Sequence, residues 1–196
     1  HFDFSIITNI QNDHIDFHGN YENYKNAKLK ICSEKGRTIF CTSDDYEEIA
    51  KAFASDLESN LDGNDINLSN LPFRLQKISE GVINDSKSTN SASLLYALNK
   101  LNFKGDLILC GNPGKEGCKE LNIRGPKRVF IYGKHRNELL NICKHKNIST
   151  HSSLDEIFEV LRKDEHKDIL FSPGNPSGND YLNFIERGKH FNNLKE

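Results

Sequence analysis

Short apolar, β-branched runs alternate with longer, partly apolar segments along most of the chain. The run FSIITNI at residues 4–10 predicts a buried strand, and a polar stretch separates it from a predicted helix over residues 21–32. RTIFCT at residues 37–42 predicts a second strand, and residues 47–57 predict a second helix. Residues 59–70 (SNLDGNDINLSN) have no apolar period, which indicates a linker, a loop or the scar of a deletion.

From about residue 80 onward, the pattern predicts strands and helices in regular alternation. The predicted strands are 81–84, 106–110, 128–132, 148–151 and 168–171, and the predicted helices are 91–101, 116–121, 136–146, 154–162 and 181–194. Strands that alternate with helices of this length form mostly parallel sheets, so this part is predicted to be a Rossmann-like α/β domain. We therefore divide the chain into residues 1–80 and residues 81–196. In such a sheet, the loops that leave the carboxyl ends of the strands carry the ligand site.

Composition narrows the functional classes. The formal net charge is -2 over 196 residues, which does not favour binding to nucleic acid or to an anionic membrane. No apolar run approaches the ~20 residues of a membrane span, and the amino-terminal HFDFSIITNI has no basic head of a signal peptide. The five cysteines form no C-x-x-C pair, so we expect thiols in a reducing cytosol, without a zinc site or disulfides. The chain has no methionine and opens directly in a predicted strand, which suggests a fragment or a sequence that has lost residues.

Two candidate sites lie in the amino-terminal part. Asp13-His14-Ile15-Asp16 follows the first strand, where an imidazole and carboxylates can converge on a divalent cation or on phosphate. Lys28 lies on the helix that follows, where it could pair with such an acidic loop. Taken alone, the first is a surface loop and the second a solvated lysine.

The remaining candidates lie in polar loops. Arg74 stands in an X-Pro turn (LPFRL), and an arginine there can bind phosphate through two hydrogen bonds. The loop NDSKSTN carries Asp85 and Lys87 just before a helix, whose first amides favour anions; Ser88, Thr89 or Asn90 can cap that helix. The loop GNPGK ends in Lys115 but lacks the spacing of a P-loop.

In this order, the segments resemble the Mur ligase family, and most of all its D-glutamate-adding members. ITNIQNDHIDFHGNYENYKNAKLKI is similar to the central-domain element in which I-T-N-I and DH-D-H-G lead to Y-x-x-AK. LPFRL followed by GVINDSKSTN resembles the junction to the carboxy-terminal domain, where L-P-H-R and N-D-S-K-A-T-N are typical. FSPGNPSGNDYLNFIERGKHF resembles the closing S-P-A-C-A-S, D-x-F and F-x-x-RG-x-x-F motif. The resemblance covers most of residues 4–35 and 71–193 and is thin through 43–70.

The resemblance implies a role for each candidate residue. His14 would help to hold Mg²⁺ beside the γ-phosphate of ATP, and Lys28 would become a magnesium ligand once it is carbamylated. The nucleotide would be contacted by Arg74, Asp85 and Lys87. D-glutamate would be bound by Thr89, Lys115, Ser177 and Phe184. The first part of the chain would then be a remnant of a central ATPase-type domain, and the second an amino-acid-binding domain.

The reaction implied by the resemblance is ATP-dependent amide-bond formation in peptidoglycan precursor synthesis, in the cytoplasm and by a monomer. The substrates would be UDP-N-acetylmuramoyl-L-alanine and D-glutamate, with ATP and Mg²⁺ and with no nucleic acid or membrane involved. An acyl phosphate would form first, and the D-glutamate amine would then displace phosphate.

The chain departs from the family pattern at several places. Phe73 replaces the histidine of L-P-H-R, G-G-x-D-K-G is altered to GNPGKE, and A-C-A in the last motif is GNP. The P-loop and the UDP-binding domain would lie before residue 1, so this chain alone is expected to be an incomplete catalyst. Two alternatives stay open: another Mur or folylpolyglutamate-type ligase, and a diverged, non-catalytic Rossmann-like binding module.

Overall fold

The computed structural model describes residues 2–11, 13–32, 36–41, 71–164 and 168–195. The chain divides into two compact units, His1–Ser69 and Asn70–Glu196. The helix predicted over residues 47–57 and the linker predicted over 59–70 lie outside the described residues.

The first unit contains two parallel strands and two helices among its described residues. Strand β1 (Phe4–Ile7) pairs with β2 (Arg37–Phe40), and helices α1 (Ile15–His18) and α2 (Tyr21–Leu29) lie between them in the chain. The side chain of Asn20 caps α2 by accepting a hydrogen bond from the Asn23 amide at 2.9 Å. The two predicted strands and the predicted helix are confirmed with shorter bounds, whereas the one-turn α1 was not predicted.

The second unit is built on a six-stranded sheet. Its strands are β3 (Gln76–Ser79), β4 (Val82–Asn84), β5 (Asp106–Cys110), β7 (Arg128–Tyr132), β9 (Ile148–His151) and β10 (Ile169–Phe171), and a separate small sheet pairs β6 (Leu121–Asn122) with β8 (Cys143–Lys144). The order across the main sheet is β3-β4-β10-β5-β7-β9, with every pair parallel except β3 and β4. The predicted α/β class with a mostly parallel sheet is confirmed.

Helices cover both faces of this sheet. Helices α3 (Ser91–Lys100) and α4 (Arg136–Ile142) supply buried residues to the cluster that contains Leu107 and Leu109. Helices α5 (Leu154–Leu161) and α6 (Phe184–Lys195) supply the cluster on the other face, with Ile108 and Cys110. Successive residues of β5 therefore enter opposite layers of the core, because side chains alternate along a strand. No described helix has the length and apolar content that crossing a bilayer requires.

Two predicted helices of this unit are corrected. The helix predicted over 116–121 is wrong: a short 3₁₀ helix (Pro113–Glu116) ends there, and the chain continues into β6. Gly117 and Cys118 both have positive φ (71° and 51°), which an α-helix does not allow. The helix predicted over 136–146 ends at Ile142, where Cys143 turns to extended backbone and begins β8.

The boundary between the units lies at Ser69 and Asn70, about ten residues before the division near residue 80 that the pattern suggested. The physical reason is β3, an antiparallel strand that the sequence did not reveal. Its pairing with β4 ties residues 76–79 to the main sheet.

Candidate active site

Four loops meet at the carboxyl edge of the main sheet, each following one of the strands β4, β5, β7 and β10. They comprise residues 85–90, 111–117, 133–135 and 172–183. The loop after β10 is bonded to two others: the Asn112 amide donates to the Pro176 carbonyl at 3.1 Å, and the Lys134 amide donates to the Asp180 carboxylate at 3.0 Å. Parallel sheets bind ligands at this edge, so the candidate site lies here.

Two glycines allow these loops to approach closely. Gly111 and Gly133 have φ of +95° and +92°, a backbone conformation that side chains disfavour. A Cβ atom at Gly111 would overlap the carbonyl oxygen of Pro176, and one at Gly133 would overlap the Asp180 carboxylate. The loop after β10 therefore depends on both glycines for its position.

Asp85 is buried at the end of β4, with only 3% of its surface exposed. Its carboxylate accepts hydrogen bonds from the Ser172 hydroxyl at 2.8 Å and from the Leu75 amide at 3.1 Å. Burial raises the pKa of Asp85 from 3.8 to about 6, against the opposing effects of those two hydrogen bonds and of the nearby Arg74 and Arg187 charges. A carboxylate held in this way is fixed in position and sensitive to local charge.

Lys87 lies against an aromatic ring. Its Nζ atom is 3.8 Å from the centroid of the half-buried Phe184 ring, which is cation–π geometry. Its amide donates to the Phe73 carbonyl at 2.8 Å, so the backbone of the LPFRL turn also supports it. Arg74 follows Phe73 and is half-buried. The structure thus brings the predicted residues Arg74, Asp85, Lys87 and Phe184 to one edge of the sheet.

The other residues predicted to bind the amino-acid substrate lie in the adjoining loops. Thr89 is half-buried and directly precedes Asn90, which caps α3 by accepting from the Ser93 amide at 2.8 Å. Ser177 is half-buried and follows Pro176 in the loop after β10. Lys115 lies in the 3₁₀ helix after β5, and its side chain is outside the described part of the structure.

A cavity of about 280 Å³ opens beside these loops. Ser91 of α3, Glu116 of the 3₁₀ helix and Asn175 of the loop after β10 contribute to its wall. The Glu116 carboxylate accepts a hydrogen bond from the Ser91 amide at 2.9 Å, so one of the first amides of α3 already has an internal acceptor.

Helix α6 contributes a residue for which no role was predicted. Arg187 is fully buried and donates to the Ser86 carbonyl at 2.8 Å, to the Ser86 hydroxyl at 3.1 Å and to the Asn175 carbonyl at 3.0 Å. The sequence held one signal of its burial: Arg187 falls between Phe184 and Phe191 on the apolar period of the helix.

The hydroxyl groups of Tyr132 and Tyr181 lie close together beside the loop after β10. The Tyr181 hydroxyl lies 2.7 Å from His190 Nδ1 and 3.3 Å from the Tyr132 hydroxyl. Burial raises the pKa of Tyr181 to about 12 and raises the pKa of Cys110 beneath it. These groups therefore stay protonated at neutral pH and act as hydrogen-bonding partners.

In the first unit, His14 and Lys28 flank the same aromatic ring. The His14 ring centroid is 6.1 Å from that of the buried Tyr24, and Lys28 Nζ is 5.0 Å from the Tyr24 centroid. His14 has a positive φ of 53°, and its Nε2 atom lies 3.8 Å from the Asp13 carboxylate. Among the described residues, no cluster of three or more His, Cys, Asp and Glu side chains could hold a metal by itself.

Comparison with known proteins finds relatives that all carry the name of one enzyme family. Residues 1–93 match the family model of the Mur ligase middle domain. A UDP-N-acetylmuramoylalanine--D-glutamate ligase from Buchnera aphidicola subsp. Schizaphis graminum is 31% identical, over 90% of this chain and 45% of its own length. The chain is a relative of the Mur ligases. The resemblance that the ordered motifs predicted is thereby confirmed.

Further Mur ligases align over almost the whole chain. Proteins of the same name from Leptospira interrogans and Pseudothermotoga lettingae are each 28% identical over 99% of this chain, and over 62% and 60% of their own lengths. This chain thus spans about half to two thirds of the length of the curated relatives it matches. The Leptospira alignment extends over 287 positions, more than the 196 residues of this chain, so that relative contains residues that this chain lacks.

A solved Mur ligase has the same fold. The crystal structure of MurF ligase from Thermotoga maritima in complex with ADP superposes with a TM-score of 0.71 at 14% identity, covering 98% of this chain and 62% of that one. At this identity the likeness concerns the fold, and it agrees with the α/β architecture described above.

Proposed function

We propose that the full-length protein containing this chain is an ADP-forming ligase that adds D-glutamate to UDP-N-acetylmuramoyl-L-alanine in peptidoglycan precursor synthesis. One observation carries the proposal: relatives with that name align over 90–99% of this chain. Because the chain spans only part of their length, the activity is proposed for the full-length protein.

The proposed reaction has two steps. The substrate carboxylate attacks the γ-phosphorus of ATP, the bond to the bridging oxygen breaks, and ADP leaves. The D-glutamate nitrogen then attacks the acyl carbon, and inorganic phosphate departs while the amine loses a proton. Both steps move charge onto phosphate oxygens, so fixed cations and hydrogen-bond donors contribute most to catalysis.

We assign the nucleotide to Arg74, Asp85 and Lys87. The two cations would neutralise charge on phosphate, and the ammonium of Lys87 is already held in place by Phe184. Asp85 can accept hydrogen bonds from hydroxyl groups of the nucleotide, because its carboxylate is oriented by Ser172 and Leu75.

We assign D-glutamate to Thr89, Lys115, Ser177 and Phe184. Hydroxyl groups and an ammonium suit the recognition of a carboxylate. The placement of Thr89 and Ser177 in loops at the same sheet edge supports this assignment. The Phe184 ring also contacts the Lys87 ammonium, so we assign Phe184 a role in binding both substrates.

We assign Mg²⁺ to His14 and to Lys28 in its carbamylated form. Magnesium is held in proteins by one or two anionic oxygen ligands together with substrate phosphates and water. A carbamate on Lys28 would supply such a ligand. Lys28 Nζ lies 5.0 Å from the centroid of the Tyr24 ring, and the His14 ring centroid lies 6.1 Å from it, so both side chains are near the same ring. Bound Mg²⁺ would neutralise charge on the transferring phosphoryl group.

The proposal extends to the organisation of the protein. Residues 1–69 would be part of the central ATP-binding domain and residues 70–196 the amino-acid-binding domain of a cytoplasmic monomer. Size-exclusion chromatography with light scattering would test the monomer.

The activity is tested with the full-length protein in a coupled assay for ADP. We expect ADP release only when UDP-N-acetylmuramoyl-L-alanine and D-glutamate are both present. Release with a different amino acid would instead support another Mur or folylpolyglutamate-type ligase. If no amino acid supports release, calorimetry with D-glutamate and with ATP decides whether the chain is a non-catalytic binding module.

A further inference from the structure

Arg187 carries a buried positive charge in an unusual setting. Its side chain is completely buried on the inner side of α6, and it forms no ion pair with any carboxylate in the described parts of the chain. A buried charge is costly unless hydrogen bonds compensate it. Here the compensating oxygen acceptors come from two separate loops, and the Cys110 thiol at the end of β5 is a further, weaker acceptor at 3.9 Å.

The first loop is held at Ser86. Arg187 Nε donates to the Ser86 hydroxyl at 3.1 Å, and Nη2 donates to the Ser86 carbonyl at 2.8 Å. The Ser86 hydroxyl in turn donates to the Phe184 carbonyl at 2.8 Å. Ser86 stands between Asp85 and Lys87, so the position of Ser86 sets the position of both.

The second loop is held at Asn175. Arg187 Nη1 donates to the Asn175 carbonyl at 3.0 Å. Asn175 lies two residues before Ser177, and the intervening Pro176 accepts the Asn112 amide at 3.1 Å. One planar guanidinium thus fixes the distance between two loops whose attachment residues are 89 positions apart in the chain.

We propose that Arg187 is a positioning residue that couples the nucleotide loop, residues 85–90, to the amino-acid loop, residues 172–178. The coupling rests on the proposed function. Displacing either loop moves the guanidinium, and the guanidinium moves the other loop. Binding of one substrate therefore orders the site of the other.

Only arginine can make this link. Its rigid fork offers donors in three directions at fixed angles, whereas a lysine ammonium is a single point that reaches one loop at a time. Arg187→Lys keeps the charge and loses the bridge. That variant separates the coupling from simple charge burial.

The kinetic test uses the full-length protein. Arg187→Lys should raise the KM for ATP and the KM for D-glutamate together, each by about tenfold, because each loop loses a charge-assisted hydrogen bond. Lys189→Gln is the control for charge on the same helix, since exposed Lys189 contacts only Glu186 among the described residues, and it should change neither constant. A rise in only one of the two constants, or in neither, would overturn the proposal.

A second measurement does not depend on activity. In wild-type protein without substrates, hydrogen exchange is followed at the Lys87 and Ser88 amides for the first loop. The second loop is followed through the Asn112 amide, which lies after β5 and donates to the Pro176 carbonyl of that loop. Arg187→Lys and Ser86→Ala should both accelerate exchange in both loops relative to β5 and β7. Asn192→Ala removes the hydrogen bond that Asn84 donates to Asn192 just before the first loop, so it should affect the first loop alone.

The two measurements separate the possible failures. If the full-length protein shows no D-glutamate-dependent turnover, the proposed function fails, and the exchange experiment alone decides the coupling. If Arg187→Lys accelerates exchange in only one loop, Arg187 is a local support and the coupling is refuted. Ser86→Ala keeps this test available even if Arg187→Lys does not fold.

Discussion

The ammonium of Lys87 lies 3.8 Å from the centre of the Phe184 ring, although the two residues are far apart in the chain. The sequence suggested separate substrates for them, ATP for Lys87 and D-glutamate for Phe184. Because of this contact, a substitution that removes the ring should first change the position of the Lys87 ammonium. A cation at this distance from a ring face is held by electrostatic attraction worth about 0.5–2 kcal/mol.

Replacing Phe184 by leucine should raise the KM for ATP about three- to tenfold, because Lys87 loses the ring that holds its ammonium in place. Phe184→Tyr keeps the ring and should retain the wild-type KM. Tyr96→Leu is the matched control, since it removes the ring beneath Lys100 at 5.4 Å on the exposed side of α3. If Phe184→Leu raises only the KM for D-glutamate, the ring contacts the amino acid and does not position Lys87.

Asp85 should make the stability of the protein depend on pH. Its pKa is raised from 3.8 to about 6 in the folded state, so the folded state binds this proton more tightly than the unfolded state. The contribution of Asp85 to stability therefore decreases as pH rises from about 4 to about 6, and it stays lower above that range. The total decrease is on the order of 3 kcal/mol.

Asp85→Asn removes this titration and can keep an acceptor for the Leu75 amide and a donor for the Ser172 hydroxyl. In urea unfolding, the variant should be more stable than wild type at pH 7.5 and about equal to it near pH 4. A variant that is less stable than wild type at pH 7.5 would show that the charged carboxylate is stabilised by its surroundings.

An ion pair joins β5 and β7 at their amino ends, opposite the candidate site. Arg128 Nε donates to the buried Asp106 carboxylate at 2.8 Å, and its guanidinium also forms an ion pair with Asp164 at 2.6 Å. Asp106→Ala should lower the free energy of unfolding by on the order of 3 kcal/mol, because a partly buried guanidinium loses its main partner. The KM values should not change, since both residues begin their strands, away from the carboxyl edge.

Lys189→Gln, which breaks an exposed pair with Glu186, should cost less than about 1 kcal/mol and is the reference for surface pairs. An equal effect of both substitutions in thermal unfolding would contradict the structural importance given to Asp106.

Lys28 should be essential for its ability to carry a carbamate. Lys28→Arg keeps the positive charge but cannot be carbamylated, so the rate of ADP release should fall by about a hundredfold. Lys30→Arg, two residues along and exposed, should have no effect. Carbon-13 NMR after equilibration with labelled bicarbonate should show a carbamate signal that Lys28→Arg lacks. Wild-type activity in Lys28→Arg would exclude a metal-binding role.

The sequence predicted five of the six strands of the main sheet and missed the edge strand β3. The strands at 106–110, 128–132 and 148–151 were found at their observed bounds because polar or glycine-containing turns limit each run. Strand β3 (Gln76–Ser79) has only one apolar residue, so its place in the sheet comes from pairing with β4. The helix predicted at 116–121 failed because apolar spacing does not reveal the positive φ of Gly117 and Cys118.

The sequence predicted which loops form the candidate site, but it did not predict the contacts within them. Parallel sheets gather the loops after their strands at one edge, so polar segments such as NDSKSTN and SPGNPSGN were expected to meet there. The contacts of Arg187 could not be predicted, because two of its four acceptors are backbone carbonyls, which any residue provides. The same holds for the pKa of Asp85, which depends on burial that the surrounding polar residues do not suggest.

Mass spectrometry of the reaction product tests the central claim most directly. The full-length protein is incubated with ATP, Mg²⁺, UDP-N-acetylmuramoyl-L-alanine and D-glutamate, and the nucleotide products are identified. We expect UDP-N-acetylmuramoyl-L-alanyl-D-glutamate and ADP in equal amounts, and neither product when D-glutamate is omitted. ATP hydrolysis without the glutamyl product, or an equally rapid product with another amino acid, would contradict the assignment of D-glutamate as the substrate.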